Sequence, residues 1–115
     1  GLDYWKHVDL REHPDETAFW SWAADRRVIL FSSHGARPYT DCEFEPGDVL
    51  LFGCETKGLP RQLLDDRGAW HIPMSGPTRS LNLSNAVAIV TYHAMQQVEP
   101  ALFGRSAPSP LASAE

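Results

Sequence analysis

Ser75-Gly76-Pro77-Thr78-Arg79-Ser80-Leu81-Asn82-Leu83-Ser84-Asn85 is a polar elbow of hydroxyls and side-chain amides with a single guanidinium. It feeds a helix, Asn85 to Val98, that carries no Asp, Glu, Lys or Arg, so the helix is expected to be buried almost all round. An elbow in front of such a helix is held against a core or a partner, which makes it a pocket candidate. A second candidate is Gly53-Cys54-Glu55-Thr56-Lys57-Gly58-Leu59-Pro60. Glycines at 53 and 58 permit close backbone approach or positive φ, the usual need when main-chain amides must reach a ligand; tight turns are the ordinary alternative. Glu55 is able to act as a general acid or base, or to cap the amides of its own loop, the commoner role of a loop carboxylate. Ser32-Ser33-His34-Gly35 is the third loop of interest.

Other chemistries find no support. His7, His13, His34, His71 and His93 lack the i, i+4 and Cys-paired spacings of zinc sites, so no metal is expected. No Gly-x-Ser-x-Gly elbow presents a nucleophile. The phosphate-cradling P-loop and the Gly-x-Gly-x-x-Gly dinucleotide fingerprint are both absent, which argues against ATP and NAD but leaves a different adenosyl ligand open.

The elements that must position these loops follow from hydrophobic patterning. Val28 to Phe31 and Val49 to Phe52 are wholly apolar runs bounded by Ser, Gly, Asp and Pro, the appearance of strands buried on both faces of a parallel sheet. Ala69 to Ile72 is a third strand, and Trp5 to Leu10 a further short one. Pro14-Asp15-Glu16 opens a helix reaching Ala23, and Pro60 opens a short helical turn to Leu64. In the long helix Ala86, Val87, Val90, Ala94 and Val98 follow three-and-four spacing. Ligands of open parallel sheets sit beyond the carboxyl ends of the strands, where the three candidate loops converge.

With 115 residues, 43% of them hydrophobic and 22% charged, the chain suits one domain, residues 1–100, followed by an expected disordered tail, 101–115. A net charge of −5 argues against a protein that coats nucleic acid through a broad basic face, although it does not exclude a specific nucleic-acid substrate. Basic residues gather at Arg26 and Arg27, at Lys57 and Arg61, and at Arg79, where solvated surface is the plain alternative. Cys42 and Cys54 are too few for a disulfide framework and read as structural thiols. With no membrane span and no signal-peptide layout, a cytoplasmic protein is expected.

Phe52-Gly53-Cys54-Glu55-Thr56-Lys57-Gly58-Leu59-Pro60 resembles the second motif of the SPOUT superfamily of RNA methyltransferases, and Ile72-Pro73-Met74 through Arg79-Ser80-Leu81-Asn82-Leu83-Ser84-Asn85-Ala86-Val87 resembles its third. The Met74 junction, the Arg-Ser-Leu-Asn-Leu-Ser-Asn run and the opening Gly1-Leu2-Asp3-Tyr4 are most similar to the branch that methylates the ribose 2′-hydroxyl of the wobble nucleotide 34, cytidine or modified uridine, of leucine tRNAs. The resemblance runs from Gly1 to about Val98. It implies an α/β fold, a mostly parallel sheet flanked by helices with a C-terminal deep trefoil knot, and a homodimer built on the last helix. It also implies S-adenosylmethionine bent into the knotted loops, with Phe31, Gly53, Ile72 and Ser80 at the cofactor-binding positions. Ser80 and Asn82 match positions near the reacting groups, and Arg79 matches a candidate phosphate contact. Tyr92 could support RNA binding or fill the dimer interface. Substituting Gly53 by a β-branched residue is then expected to abolish cofactor binding without unfolding the domain.

Family members begin with a strand and a helix carrying Asn-x-Gly-Asn and an Arg that is proposed to activate the hydroxyl; these 115 residues contain neither. The expectation is a chain without that segment, with an exposed sheet edge and weak catalysis when alone. Two alternatives stand beside the tRNA enzyme: a ribosomal RNA 2′-O-methyltransferase of the same fold, and a non-catalytic RNA-binding or dimerisation fragment.

Overall fold

The computed structural model describes residues 9–54, 57–74 and 82–104. In chain order the elements are α1 (Glu16–Trp22), β1 (Val28–Phe31), β2 (Arg37–Pro38), β3 (Val49–Phe52), α2 (Arg61–Arg67), β4 (Trp70–His71) and α3 (Leu83–Val98). Short 3-10 turns occupy Tyr39–Asp41 and Pro100–Phe103. The four strands form one sheet in the order β2-β4-β1-β3, with every pairing parallel. The α/β architecture and parallel sheet expected from the apolar runs are therefore present, with β1 and β3 bounded as expected.

The differences from expectation each have a physical reason. β1 is central, and Ile29, Leu30 and Phe31 are buried; β3 was expected to be buried on both faces but is only half-buried, because it is the edge strand of the described sheet. The strand anticipated over 69–72 is regular only at Trp70–His71. β2, too short to leave any periodicity, was not anticipated. α2 runs beyond Leu64 to Arg67 and ends at Gly68, whose φ of 75° suits a glycine. α3 starts two residues before Asn85, since Asn82 serves as its cap by accepting a hydrogen bond from the Ser84 N–H at 2.9 Å. The strand expected over 5–10 falls mostly outside the described residues; of the tail expected over 101–115, residues 101–103 belong to a 3-10 turn and those from 105 on lie outside the described residues.

Burial of α3 is the main correction. Val90 and Ala94 are its buried residues, while Val87, Ile89 and Tyr92 are exposed, Tyr92 at 61%. Only one side of the helix meets the sheet, so the absence of charge does not make it buried all round in the single chain.

On that inner side Phe31 stacks between Phe52 and Phe44, at centroid separations of 5.0 and 6.2 Å, and Val90 and Ala94 close the cluster. Each such side chain contributes about 1.5–3 kcal/mol when removed from water. Gln97 ties the helix down: its Oε1 accepts from the Phe44 N–H at 2.8 Å and its Nε2 donates to the Cys42 carbonyl at 3.0 Å. At the amino ends of the strands, Arg27 donates to both carboxylate oxygens of Asp48, and the Val49 N–H donates to the Arg27 carbonyl at 2.9 Å, so β1 and β3 start in fixed register.

Candidate functional site

The carboxyl ends of β1, β3 and β4 open into one cavity of about 460 Å³, within the roughly 300–1,000 Å³ range of small-molecule sites. Its walls come from separate stretches of the chain: Phe31 to His34, Phe52 to Cys54, Lys57 to Leu59, Leu64 of α2, the alternate residues Trp70, Ile72 and Met74, and Asn82, Leu83 and Ala86 at the start of α3. Phe31, Gly53, Ile72 and Asn82, singled out in the sequence, thus line a common space although they are scattered along the chain. Ser80 and Arg79 lie outside the described residues, as does Glu55. Tyr92 is not brought to the cavity: it sits on the exposed side of α3 with its ring edge-on to Phe103 at 6.4 Å.

Each wall has a local cause. Cys54 is joined to the residues that follow it through the Gly58 N–H, which donates to the Cys54 carbonyl at 2.9 Å, and through the Lys57 N–H, which donates to Cys54 Sγ at 3.3 Å. A Cβ at Gly53 would lie 2.2 Å from the Gly58 carbonyl carbon and 2.4 Å from the Leu59 nitrogen. Close approach at Gly53 is therefore to its own loop, and substitution there disturbs the loop fold itself. Gly58 meets the other need, with φ at 66°. The wall at 32–34 is a turn in which Ser32 Oγ accepts from the His34 N–H at 3.1 Å.

Aromatic and aliphatic surface from Phe31, Phe52, Leu59, Ile72 and Met74 faces backbone polar groups of the loops and the hydroxyls of Ser32 and Ser33. Among the described lining residues there is no carboxylate; Lys57 and the amino end of α3 supply positive character in a chain of net charge −5. Helix N-terminal amides and their dipole favour a negative group at that end of the cavity. Asn82 spends its Oδ1 on capping α3, which leaves its amide nitrogen for a ligand.

The other basic residues singled out in the sequence have structural partners where they are described. Arg27 is bound to Asp48 and Glu45, Arg61 to Asp65, and Arg26 lies over the Trp22 ring at 4.4 Å. Burial pushes the Cys42 thiol up, so it stays protonated, and neither cysteine is in a disulfide. Among the described residues no cluster of His, Cys, Asp or Glu could hold a metal ion, and no helix is long and apolar enough to cross a membrane. The sequence points to the loops that carry Ser32, His34 and Lys57 without assigning these residues a role: Ser32 and His34 belong to no motif, and Lys57, although inside the second motif, reads as solvated surface.

An α/β domain with this cavity at the carboxyl ends of parallel strands belongs to the SpoU rRNA Methylase family, whose pattern matches residues 1–92. The chain is 41% identical over 101 residues to a tRNA (cytidine(34)-2′-O)-methyltransferase of Beijerinckia indica, covering 85% of this chain and 63% of that protein. A structure solved to study 2′-OH methylation of C/U34 on tRNA superimposes with a TM-score of 0.80 at 45% identity, covering 91% of this chain and 67% of the other. An S-adenosylmethionine-bound rRNA methyltransferase of Sinorhizobium meliloti aligns with a TM-score of 0.58 at 34% identity, over 68% of this chain and 31% of its own length. The chain spans slightly under two thirds of the length of the first of these relatives.

Proposed function

We propose that the cavity binds S-adenosylmethionine and that the protein transfers its methyl group to the ribose 2′-hydroxyl of the wobble nucleotide 34, cytidine or modified uridine, of leucine tRNAs in the cytoplasm. The observation that carries this reading is the convergence of Phe31, Gly53, Ile72 and Asn82 on one cavity of matching size, in a chain of the SpoU family. The donor set fits the group: apolar Phe31 and Ile72 flank an adenine, while the polar backbone at Gly53 and the amino end of α3 lie at the same cavity for its polar ends. When bound, S-adenosylmethionine supplies an electrophilic methyl on a sulfonium.

What the protein contributes is positioning. The 2′-oxygen forms a bond to the methyl carbon as the sulfur–carbon bond breaks, so oxygen, carbon and sulfur must lie in line. The hydroxyl proton leaves as the bond forms and needs an acceptor. Ser80 and Asn82 are the candidate residues beside the reacting groups. Arg79 suits an RNA phosphate, because guanidinium donors hold phosphate oxygens in fixed geometry. Lys57 and the amino end of α3 at the cavity support an anionic substrate such as RNA.

Two further parts of the reading concern the chain path and its assembly. β1 and β2 are both parallel neighbours of β4, with Phe31 and Arg37 each level with Trp70, and residues 32–36 connect them. β2 begins at the level where β1 ends, on the far side of β4, so five residues suffice for this hop; the trefoil knot is proposed from the chain's place in the SpoU family. The exposed apolar side of α3, with Ile89 and Tyr92, supports a homodimer.

Incubating the chain with methyl-labelled S-adenosylmethionine and leucine tRNA tests the activity. Label is expected in RNA carrying a ribose at position 34 and not in a transcript with 2′-deoxyribose there; equal labelling of both would reject the assignment. A second reading, ribosomal RNA as acceptor, is favoured by the rRNA enzyme aligned above. Labelling of ribosomal RNA in preference to tRNA would select it.

A further inference from the structure

We infer that Gly35 and His71 form a latch that fixes one wall of the proposed methyl-donor cavity, His71 acting as a positioning residue through Gly35. The inference rests on the cofactor reading of that cavity. Residues 32–36 leave β1, cross β4 and continue on its other side as β2, and Ser32, Ser33 and His34 line the cavity from this crossing. At the crossing the backbone of Gly35 lies against the strand beneath: a Cβ there would meet the Trp70 carbonyl carbon at 2.5 Å, the Trp70 oxygen at 2.7 Å and the Ala69 oxygen at 2.8 Å. Those contacts are all backbone, so no side-chain movement relieves them.

The loop is then tied down at three points. The Ser32 N–H donates to the Trp70 carbonyl at 2.9 Å and the Ala36 N–H donates to the Ala69 carbonyl at 3.1 Å. The third tie is His71 Nδ1, 2.8 Å from the Gly35 carbonyl oxygen and half-buried. A carbonyl oxygen only accepts, so Nδ1 must carry the proton. His71 does not line the cavity, but its neighbours Trp70 and Ile72 do. The latch therefore makes the β1-side wall and the β4-side wall a single rigid body. A ligand entering a preformed cleft loses less free energy to ordering it.

Calorimetry with S-adenosylhomocysteine on the full chain tests this, using His71→Asn, whose amide nitrogen keeps a donor near the Nδ1 position, and His71→Phe, which keeps a ring and removes the donor. The Phe variant is expected to bind about tenfold more weakly, the effect of one hydrogen bond lost at a half-buried acceptor, and the Asn variant within about twofold of the unaltered chain. Equal affinities for the two variants, or a lowered melting temperature with unchanged affinity in the Phe variant, would overturn the latch. Hydrogen exchange reads the latch without ligand: the amides of Ser32 and Ala36 should exchange faster in the Phe variant, and unchanged exchange also overturns it. Absence of binding by the unaltered chain would instead reject the cofactor reading on which the latch rests.

Discussion

Gly53 and Gly58 occupy one loop and need their lack of a side chain for different reasons, which substitutions should separate. Alanine at 53 would place a methyl 2.2 Å from the Gly58 backbone, so the loop must move. Gly53→Ala is expected to cost about 1–3 kcal/mol, the range of an overpacked site, and to weaken S-adenosylhomocysteine binding at the same time. Alanine at 58 meets open space and suffers only its positive φ, so about 1 kcal/mol is expected, and asparagine there should be better tolerated. Chemical unfolding of both variants checks the ranking. Equal losses would mean that the close approach at Gly53 is relieved without cost. The motif showed that glycine mattered at both positions, but distinguishing clearance from φ required the neighbouring backbone.

At the scale of elements, Arg27 and Asp48 hold β1 to β3 at the end of the sheet away from the cavity. Burial pushes the Asp48 carboxyl up, but the Arg27 hydrogen bond, the Glu45 N–H and the Arg27 charge together outweigh it and hold the group below its ordinary value. Ionised Asp48 therefore favours the fold above about pH 4, the unfolded value, and this contribution is lost as the pH falls through the depressed value. The Asp48 side chain is only 6% exposed while that of Arg27 is 46% exposed, so solvent screens the pair. Asp48→Asn is expected to cost about 1–2 kcal/mol near neutral pH, with a shallower loss of stability in acid than the unaltered chain shows. Thermal melts from pH 7 down to pH 3 measure both; an unchanged acid limb would show that the pair contributes nothing. In sequence Arg27 belonged to a basic pair best read as solvated surface, and its partner twenty-one positions away carried no local signal.

For the whole molecule the decisive surface is the outer side of α3. Ile89 and Tyr92, three residues apart, share the face turned from Val90 and Ala94, and Leu102 and Phe103 follow the helix with exposed apolar surface. If a second copy covers this face, Ile89→Glu should convert a dimer to a monomer without lowering the melting temperature of the isolated fold. Sedimentation equilibrium distinguishes the outcomes, and a protein monomeric before the change removes the dimer from the proposal.

The sequence by itself determined the local pieces: the apolar runs of β1 and β3, the start of α1 behind Asp15, the glycine loop and the uncharged helix. These follow from nearest-neighbour chemistry and periodicity, which a single stretch contains in full. Tertiary structure alone decided that β4 lies between β1 and β2, that β3 is an edge of the described sheet, and that one side of α3 is left exposed among the described residues. It also brought Ser32, His34 and Lys57 to the same cavity as Phe31, Gly53 and Ile72. Such facts depend on which distant backbones meet, and pairing energies between segments leave no trace in the spacing of residues within either one.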